Sequence, residues 1–168
     1  MPYWELSDEE LLKQCDWKAG RASGRGGQKR NKTHSAIRIV HLPTGVAAIA
    51  NEHRLQGENR TLAMDRLRHA LMLHERSEID IETFQVPAEV QEQLNNKGKL
   101  KVNPRNPRYL QIIATVLDLL VAYQGHVSGA ADRLGISTTN FINLLQDDPK
   151  VWTVAQQLRI KYGLSPLK

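Results

Sequence analysis

A glycine-rich segment near the start of the 168-residue chain has residue types that suit catalysis. Gly26 and Gly27 stand directly before Gln28, and glycine permits positive φ angles and a close approach to another molecule. Gln28 adds a side-chain amide and a backbone N–H. An amide is a poor general base, but it can position a water molecule, and an N–H can stabilise an oxyanion. The tripeptide therefore suits hydrolysis in a site that another molecule completes.

Basic residues surround this tripeptide. The six nearest in sequence are Lys18, Arg21, Arg25, Lys29, Arg30 and Lys32. Such a cluster favours phosphate, so the expected second wall of the site is RNA. A simpler interpretation also stands, in which a basic loop binds phosphate and does no chemistry.

Other kinds of site are excluded or disfavoured by spacing. A dinucleotide fingerprint counted from Gly24 would need its last glycine at position 29, which is Lys29. A Walker loop would need Gly-Lys-Ser/Thr, which does not follow. His69 and His74 are five residues apart and fall on different sides of a helix, so they do not suit a shared metal ion. We therefore expect neither a metal nor a cofactor.

The charge of the chain is unevenly distributed. Lys and Arg total 23 against 18 Asp and Glu, a net charge of +5. Between Trp17 and Arg68 there are eleven basic and three acidic residues, and between Asn95 and Leu110 five basic and none acidic. Such segregation indicates a polyanion partner, most simply a nucleic acid, although a solvated basic face is the alternative.

Composition is typical of a globular protein, with 40% hydrophobic and 24% charged residues. Cys15 is the single cysteine, which excludes an internal disulfide. No apolar run reaches the length of about 20 residues that a membrane span needs. The acidic start of the chain does not resemble a targeting peptide. We expect a monomer in the cytoplasm, with no membrane partner.

Local patterns in the first half predict a small sheet with packed helices, which is an α+β arrangement. Ser7 and Glu10 form a capping box that predicts a short helix continuing through Cys15. The predicted strands are 16–22, 36–41 and 46–50, with turn residues at 43–45. An amphipathic helix is predicted over 58–75, with Arg60, Arg66 and Arg68 on its outer side.

The second half is predicted to be helical. Residues 79–84 alternate weakly, and Pro87 predicts a short helix. Ser128, Ser137 and Asp148 are expected helix caps. We expect a domain over 1–94, a basic linker over 95–107 and an all-helical unit over 108–168, with a helix-turn-helix-like segment at 127–137.

The Gly-rich segment and its flanks resemble the catalytic domain of class I peptide chain release factors. The resemblance rests on 21–33, on Ser35-Ala36-Ile37-Arg38, on His41-Leu42-Pro43-Thr44-Gly45, and on Arg54-Leu55-Gln56 with Asn59-Arg60. It implies that Gly26, Gly27 and Gln28 are the catalytic tripeptide of a hydrolase. The substrate would be the ester of P-site peptidyl-tRNA in the peptidyl-transferase centre of the ribosome. It also implies that a methyltransferase modifies the Gln28 amide.

Only 25 residues precede Gly26, fewer than a decoding domain needs. The sequence therefore looks more like the short, codon-independent factors that rescue stalled ribosomes. Expected RNA-binding residues are Arg21, Arg25, Lys29, Arg30, Lys32, Arg54, Lys97, Lys99, Lys101 and Arg105.

Two alternatives stay open. One is a non-catalytic module that binds RNA or the ribosome through the same loop. The other is a DNA-binding regulator built on the helix-turn-helix-like segment. Its second helix, Thr138 to Asp148, contains no Lys or Arg and ends in two aspartates. Because phosphate contacts dominate affinity for DNA, a helical module that docks on the ribosome or on a protein is the stronger expectation.

Overall fold

The computed structural model describes residues 1–20 and 35–167. The chain divides into two compact units, Met1–Glu75 and Arg76–Lys168. The first contains a sheet with helices and the second is helical, so the chain is of the α+β class. None of the helices in these ranges combines the length and the apolar character that crossing a membrane requires.

The first unit begins with a short 3-10 helix, Tyr3–Glu5, and helix α1, Asp8–Lys13. The predicted capping box is confirmed: the Ser7 hydroxyl accepts from the Glu10 N–H at 3.3 Å, and the Glu10 carboxylate accepts from the Ser7 N–H at 3.1 Å. The helix does not continue through Cys15, as the sequence suggested. Cys15 instead begins a strand, because it pairs with His41.

The sheet has three antiparallel strands in the order β1 (Cys15–Gly20), β2 (Ala36–His41) and β3 (Ala47–Ala50). These match the predicted strands over the described residues. The β2–β3 turn also matches: the Gly45 N–H donates to the His41 carbonyl at 2.8 Å, and Gly45 has a φ of +70°, which glycine adopts without strain.

Helix α2, Gln56–His74, covers one face of the sheet. Ala63, Leu67 and Leu71 are fully buried along one stripe, as are Ile37 and Ile39 of β2. This amphipathic packing is what the sequence predicted, because apolar residues at three- and four-residue steps lie on one side of a helix.

Arg68 of α2 does not simply face solvent as the sequence suggested. Its side chain is 18% exposed and pairs with Asp8 at 2.6 Å. The guanidinium also donates to the carbonyls of Trp4 at 2.8 Å and Leu6 at 2.5 Å. One cation of α2 thereby holds the amino-terminal residues against the first unit.

The second unit contains five helices within its described residues: α3 (Ala88–Gln91), α4 (Tyr109–Ala122), α5 (Val127–Leu134), α6 (Thr138–Gln146) and α7 (Pro149–Lys161). Helix α4 is the most buried of them, and Ile112, Ile113 and Leu117 are fully enclosed. Burial raises the pKa of Asp118, against the opposing effect of Arg76, whose Nη1 lies 2.9 Å from the carboxylate.

Two of the three expected caps in this unit are confirmed. The Ser137 hydroxyl accepts from the Asn140 N–H at 3.1 Å, and the Asp148 carboxylate accepts from the Lys150 N–H at 2.7 Å. The expected cap at Ser128 is wrong. Helix α5 begins at Val127, which is buried, so packing of its apolar residues sets the start of the helix instead of a capping hydroxyl.

The segment between residues 76 and 107 belongs to the second unit. The sequence suggested a boundary at residue 94 and a linker over 95–107, whereas the compact units divide after Glu75. Leu100 and Val102 are buried in the second unit, which gives this stretch a fixed place. Residues 79–84 form turns and no strand.

Gly129 of α5 marks a close contact with the ring of Tyr123. A β-carbon on Gly129 would stand 2.4 Å from Cδ1 of that ring. Alanine ordinarily stabilises a helix interior by about 1 kcal/mol relative to glycine, but overpacking costs about 1–3 kcal/mol. We expect Gly129→Ala to lower the free energy of unfolding by about 1 kcal/mol in urea denaturation. The control Ser128→Ala, at an exposed neighbour, should change it by less than about 0.5 kcal/mol. A more stable Gly129→Ala protein would contradict the contact.

Candidate functional site

The predicted catalytic tripeptide lies outside the described residues, and so do most of the basic residues beside it. These are Arg21, Arg25, Gly26, Gly27, Gln28, Lys29, Arg30 and Lys32. The structure describes the two points at which the chain leaves and rejoins the sheet. Gly20 ends β1, Ser35 precedes β2, and Gly20 pairs directly with Ala36. The two ends of the segment are therefore adjacent in the sheet.

A buried amide on α2 fixes one of these ends. Asn59 is fully buried, and its Nδ2 donates to the Ser35 carbonyl at 2.6 Å and to the His53 carbonyl at 2.9 Å. Its Oδ1 accepts from the His53 N–H at 2.9 Å. One side chain thus joins the return point of the Gly-rich segment to α2 and to the chain before that helix.

The position of Asn59 follows from the helical repeat. Ala63 and Leu67 follow it by four and eight residues, so all three lie on the stripe that faces the sheet. A polar group buried there is costly unless it is hydrogen-bonded, and this one is. Asn59 stood in the sequence only among the residues of the resemblance, and no role was predicted for it. The available signal was an amide on an otherwise apolar stripe.

Arg54 is exposed in the segment between β3 and α2. It follows His53, whose backbone N–H and carbonyl are both bound by Asn59. The nearby acid Glu52 is already engaged: Nη2 of Arg66 lies 2.6 Å from its carboxylate. The hydrogen bond from Arg66 is the main reason that the pKa of Glu52 is lowered to about 2. Glu52 is therefore paired with Arg66, and the Arg54 side chain is exposed at the surface.

The face of the sheet away from α2 carries two cations near the Gly-rich segment. Lys18 and Arg38 are cross-strand partners, which places their side chains on one face. Both are exposed, and Ile49, the partner of Arg38 on β3, is 53% exposed. With Gly20, these residues line a shallow cavity of about 300 Å³. Lys18 is paired with Asp16, whose carboxylate lies 3.3 Å from its Nζ. An open surface with one paired cation and one further cation, Arg38, thus begins where the segment 21–34 leaves the sheet.

An aromatic–cation pair lies at the other side of β1. Trp17 is 43% exposed, and Cζ of Arg60 stands 5.0 Å from the centroid of its ring. Exposed aromatic rings and guanidinium planes are surfaces on which nucleobases stack. Neither residue was predicted to belong to the site, because the pairing depends on tertiary contact between β1 and α2.

His41, part of the motif that carried the resemblance, has a structural position. Its ring is fully buried, its Nδ1 lies 2.8 Å from the Thr44 hydroxyl, and its ring centroid is 4.5 Å from that of Tyr3. Burial lowers the pKa of His41, which favours the neutral ring. It therefore stabilises the β2–β3 turn.

The remaining predicted RNA-binding residues lie in the second unit. Lys97, Lys99, Lys101 and Arg105 are all exposed there. Arg105 is placed by its backbone, whose N–H donates to Oδ1 of Asn103 at 2.9 Å.

Comparison with known proteins gives a family match over most of the first unit and the start of the second. The RF-1 domain model matches residues 9–108, more than half of the chain. Three curated relatives are named peptide chain release factor 1. The protein from Xylella fastidiosa (strain 9a5c) is 55% identical over 58 residues, which are 34% of this chain and 16% of the relative.

The second relative, from Delftia acidovorans (strain DSM 14801 / SPH-1), is 34% identical over 126 residues, covering 68% of this chain and 32% of the relative. The third, from Kocuria rhizophila (strain ATCC 9341 / DSM 348 / NBRC 103217 / DC2201), is 43% identical over 83 residues, covering 48% and 22%. The chain thus spans less than a third of the length of each relative.

Proposed function

Because the chain belongs to the RF-1 domain family, we propose that it hydrolyses the ester bond between a nascent peptide and P-site tRNA on the ribosome. The observation that carries the proposal is the span of the family match. Residues 9–108 include the Gly-Gly-Gln tripeptide, both points at which its segment joins the sheet, and Asn59.

The reaction needs little from this chain beyond positioning. A water oxygen attacks the ester carbonyl carbon, the bond from that carbon to the 3′-oxygen of the tRNA breaks, and the 3′-oxygen takes up the proton. The Gln28 backbone N–H donates to the oxyanion that forms on the carbonyl oxygen. The Gln28 side chain positions the water and excludes larger nucleophiles, while ribosomal RNA forms the opposite wall.

The described surface around the segment 21–34 supports this role. Lys18, Arg38 and Arg54 are exposed cations of the first unit, and Trp17 with Arg60 offers a stacking surface. Together with the basic residues of the segment they would hold the unit against ribosomal RNA, because phosphate contacts supply most of the affinity for nucleic acids.

The finer part of the proposal is that release does not require a stop codon. It rests on the resemblance of the sequence to the short, codon-independent factors. Residues 1–20 form the 3-10 helix, α1 and β1, and Arg68 and the β1–β2 pairing bind them into the first unit. These residues thus serve the fold of that unit.

Two further proposals concern the modification of the Gln28 amide and the oligomeric state of the chain. The amide is the site of N-methylation by a glutamine methyltransferase, as the resemblance implies. The chain acts as a monomer. No metal or cofactor enters the reaction as written, since water is the nucleophile and the positioning groups are amides.

Release of labelled peptide from purified ribosomes tests the proposed activity. The ribosomes carry peptidyl-tRNA and either a stop codon, a sense codon or no codon in the A site. We expect similar release rates on all three. Puromycin reactivity of each preparation provides the control that the peptide is transferable.

The other outcomes separate the two parts of the proposal. Release on the stop codon alone would support the proposed hydrolase activity but contradict codon independence. Intact ester on all three, with the chain still bound to ribosomes, would contradict the hydrolase and favour the non-catalytic RNA-binding module.

A further inference from the structure

The basic stretch of the second unit forms an ordered hairpin, residues 95–101, here called the lysine hairpin. Leu94 and Leu100 form an antiparallel bridge, and the Asn95 N–H donates to the Lys99 carbonyl at 3.0 Å. Gly98 turns the chain with a φ of +65°. The Asn95 side-chain oxygen accepts from the N–H groups of Lys97 at 2.9 Å and Lys99 at 3.0 Å. The turn is therefore fixed by its own hydrogen bonds.

Asn140 of α6 attaches this hairpin to the helices. Its Oδ1 accepts from the Leu100 N–H at 2.7 Å, and its Nδ2 donates to the Leu100 carbonyl at 2.9 Å. The Leu100 side chain is 1% exposed. Because the backbone and side chain of Leu100 are both held, the backbone that carries Lys99 and Lys101 has a fixed place at the surface.

The charge of the lysine hairpin is unopposed along the chain. Lys97, Lys99 and Lys101 are exposed, and no acidic residue occurs from Asn95 to Leu110. None of these lysines belongs to the ion pairs found among the described residues. Three cations within five positions, carried on a hydrogen-bonded backbone, are suited to consecutive phosphates.

A polar groove of about 390 Å³ lies between the lysine hairpin and α6. Lys99 and Lys101 line one side, and Asn143 and Gln146 of α6 line the other, with one acid, Asp147. Asn143 and Gln146 are exposed, and their amides each offer donors and an acceptor. Such amides pair with base edges and ribose hydroxyls. The groove thus combines phosphate-binding cations with groups that bind bases.

We propose that this groove binds a single-stranded segment of RNA. Lys99 and Lys101 of its wall, and Lys97 beside the groove on the turn of the hairpin, would contact the phosphates, and Asn143 and Gln146 would contact the bases or sugars. The choice of ribosomal RNA as the natural ligand rests on the proposed function; the groove itself does not. Single strands are the form of RNA whose base edges are accessible to side chains.

Duplex DNA fits the same surface less well. In a helix-turn-helix the second helix enters a major groove about 12 Å wide. Here α6 has no Lys or Arg, and Asn140 on its first turn is bound to Leu100 of the lysine hairpin. The hairpin occupies part of the helix surface that a duplex would need.

Binding of the full chain to a short fluorescent RNA of mixed single-stranded sequence tests the proposal without ribosomes. Replacing Lys97, Lys99 and Lys101 with Gln should weaken binding at least about tenfold at 0.1 M salt. The salt slope, which is the slope of log affinity against log salt concentration, should fall in magnitude by about 2, since each phosphate contact of a single strand contributes about 0.7. The matched control replaces exposed Lys13, Lys150 and Lys161 with Gln, which removes the same charge. It should change affinity by less than about twofold.

A second pair of variants separates base contacts from charge. The double variant Asn143→Ala with Gln146→Ala should weaken RNA binding severalfold and leave the salt slope unchanged, because no charge is lost. The control Gln157→Ala, at an exposed amide of α7, should bind as the parent chain does.

Several results would overturn the proposal. Equal losses of RNA affinity in the two triple Lys→Gln variants would show that binding depends only on overall charge. Unchanged RNA affinity in the variant at Lys97, Lys99 and Lys101 would contradict binding by the lysine hairpin. Tighter binding to duplex DNA of the same sequence would assign the groove to DNA. No ester is cleaved in the RNA-binding assay. A failure of the chain to release peptide from ribosomes would therefore not change the result of this assay.

Discussion

Gly27→Ala is expected to lower the rate of peptide release at least about a hundredfold, which is the loss seen when one oxyanion donor is removed. The added β-carbon restricts φ and obstructs the close approach on which placement of the Gln28 N–H depends. Binding to ribosomes should remain nearly unchanged, because the cations around the segment are intact. Single-turnover release and cosedimentation with ribosomes measure the two effects separately.

The control for this substitution is Gly57→Ala. Gly57 lies in α2, and a β-carbon on it meets no atom within 4 Å, so release should persist. Gln28→Ala should retain part of the activity, since its backbone N–H remains. Full release by Gly27→Ala would contradict the proposed role of the tripeptide, and complete loss in Gln28→Ala would shift that role from the backbone to the side chain.

Asn59→Ala is expected to lower release on the order of tenfold to a hundredfold, through kcat with little change in KM for ribosomes. Asn59 contacts no substrate; it positions Ser35, the end of the Gly-rich segment, and small displacements of catalytic groups cost rate steeply. The same substitution leaves the Ser35 and His53 backbone groups without this partner. The free energy of unfolding should fall by about 2 kcal/mol.

The two effects of Asn59→Ala are separated by assaying release at a temperature where circular dichroism shows the variant folded. Asn59→Asp keeps the acceptor for the His53 N–H but places an oxygen against the Ser35 carbonyl, so it should not restore the rate. Thr61→Ala, at an exposed position of the same helix, is the control. A folded Asn59→Ala protein with the parental kcat would contradict the positioning role.

The elements with strong local patterns were predictable from sequence. Strand β2 was predicted at the residues it occupies, and α2, predicted over 58–75, spans Gln56–His74. In both, the period of apolar residues matches the repeat of the element. The caps at Ser7, Ser137 and Asp148 were predictable for a related reason, since the hydroxyl or carboxylate and the N–H that it accepts from are neighbours in sequence.

The contacts that organise the candidate sites were not predictable in this way. Asn59 reaches Ser35 across 24 positions, and Asn140 reaches Leu100 across 40. An amide on a helix stripe shows that some partner is needed, but not which one. The structure of the basic stretch 95–107 was equally hard to predict. Two prolines and several lysines suggested a linker, whereas the burial of Leu100 packs this stretch into the second unit.

The direct pairing of Gly20 with Ala36 sets a limit on distance. A chain that leaves and returns at neighbouring positions can extend only by half of its length. Gly27 is seven residues from Gly20, so even a fully stretched path carries it at most about 25 Å from the strand end. Any ester that the tripeptide attacks must therefore lie within about that distance of Gly20. Whatever chamber admits the tripeptide must also admit, or abut, this end of the sheet.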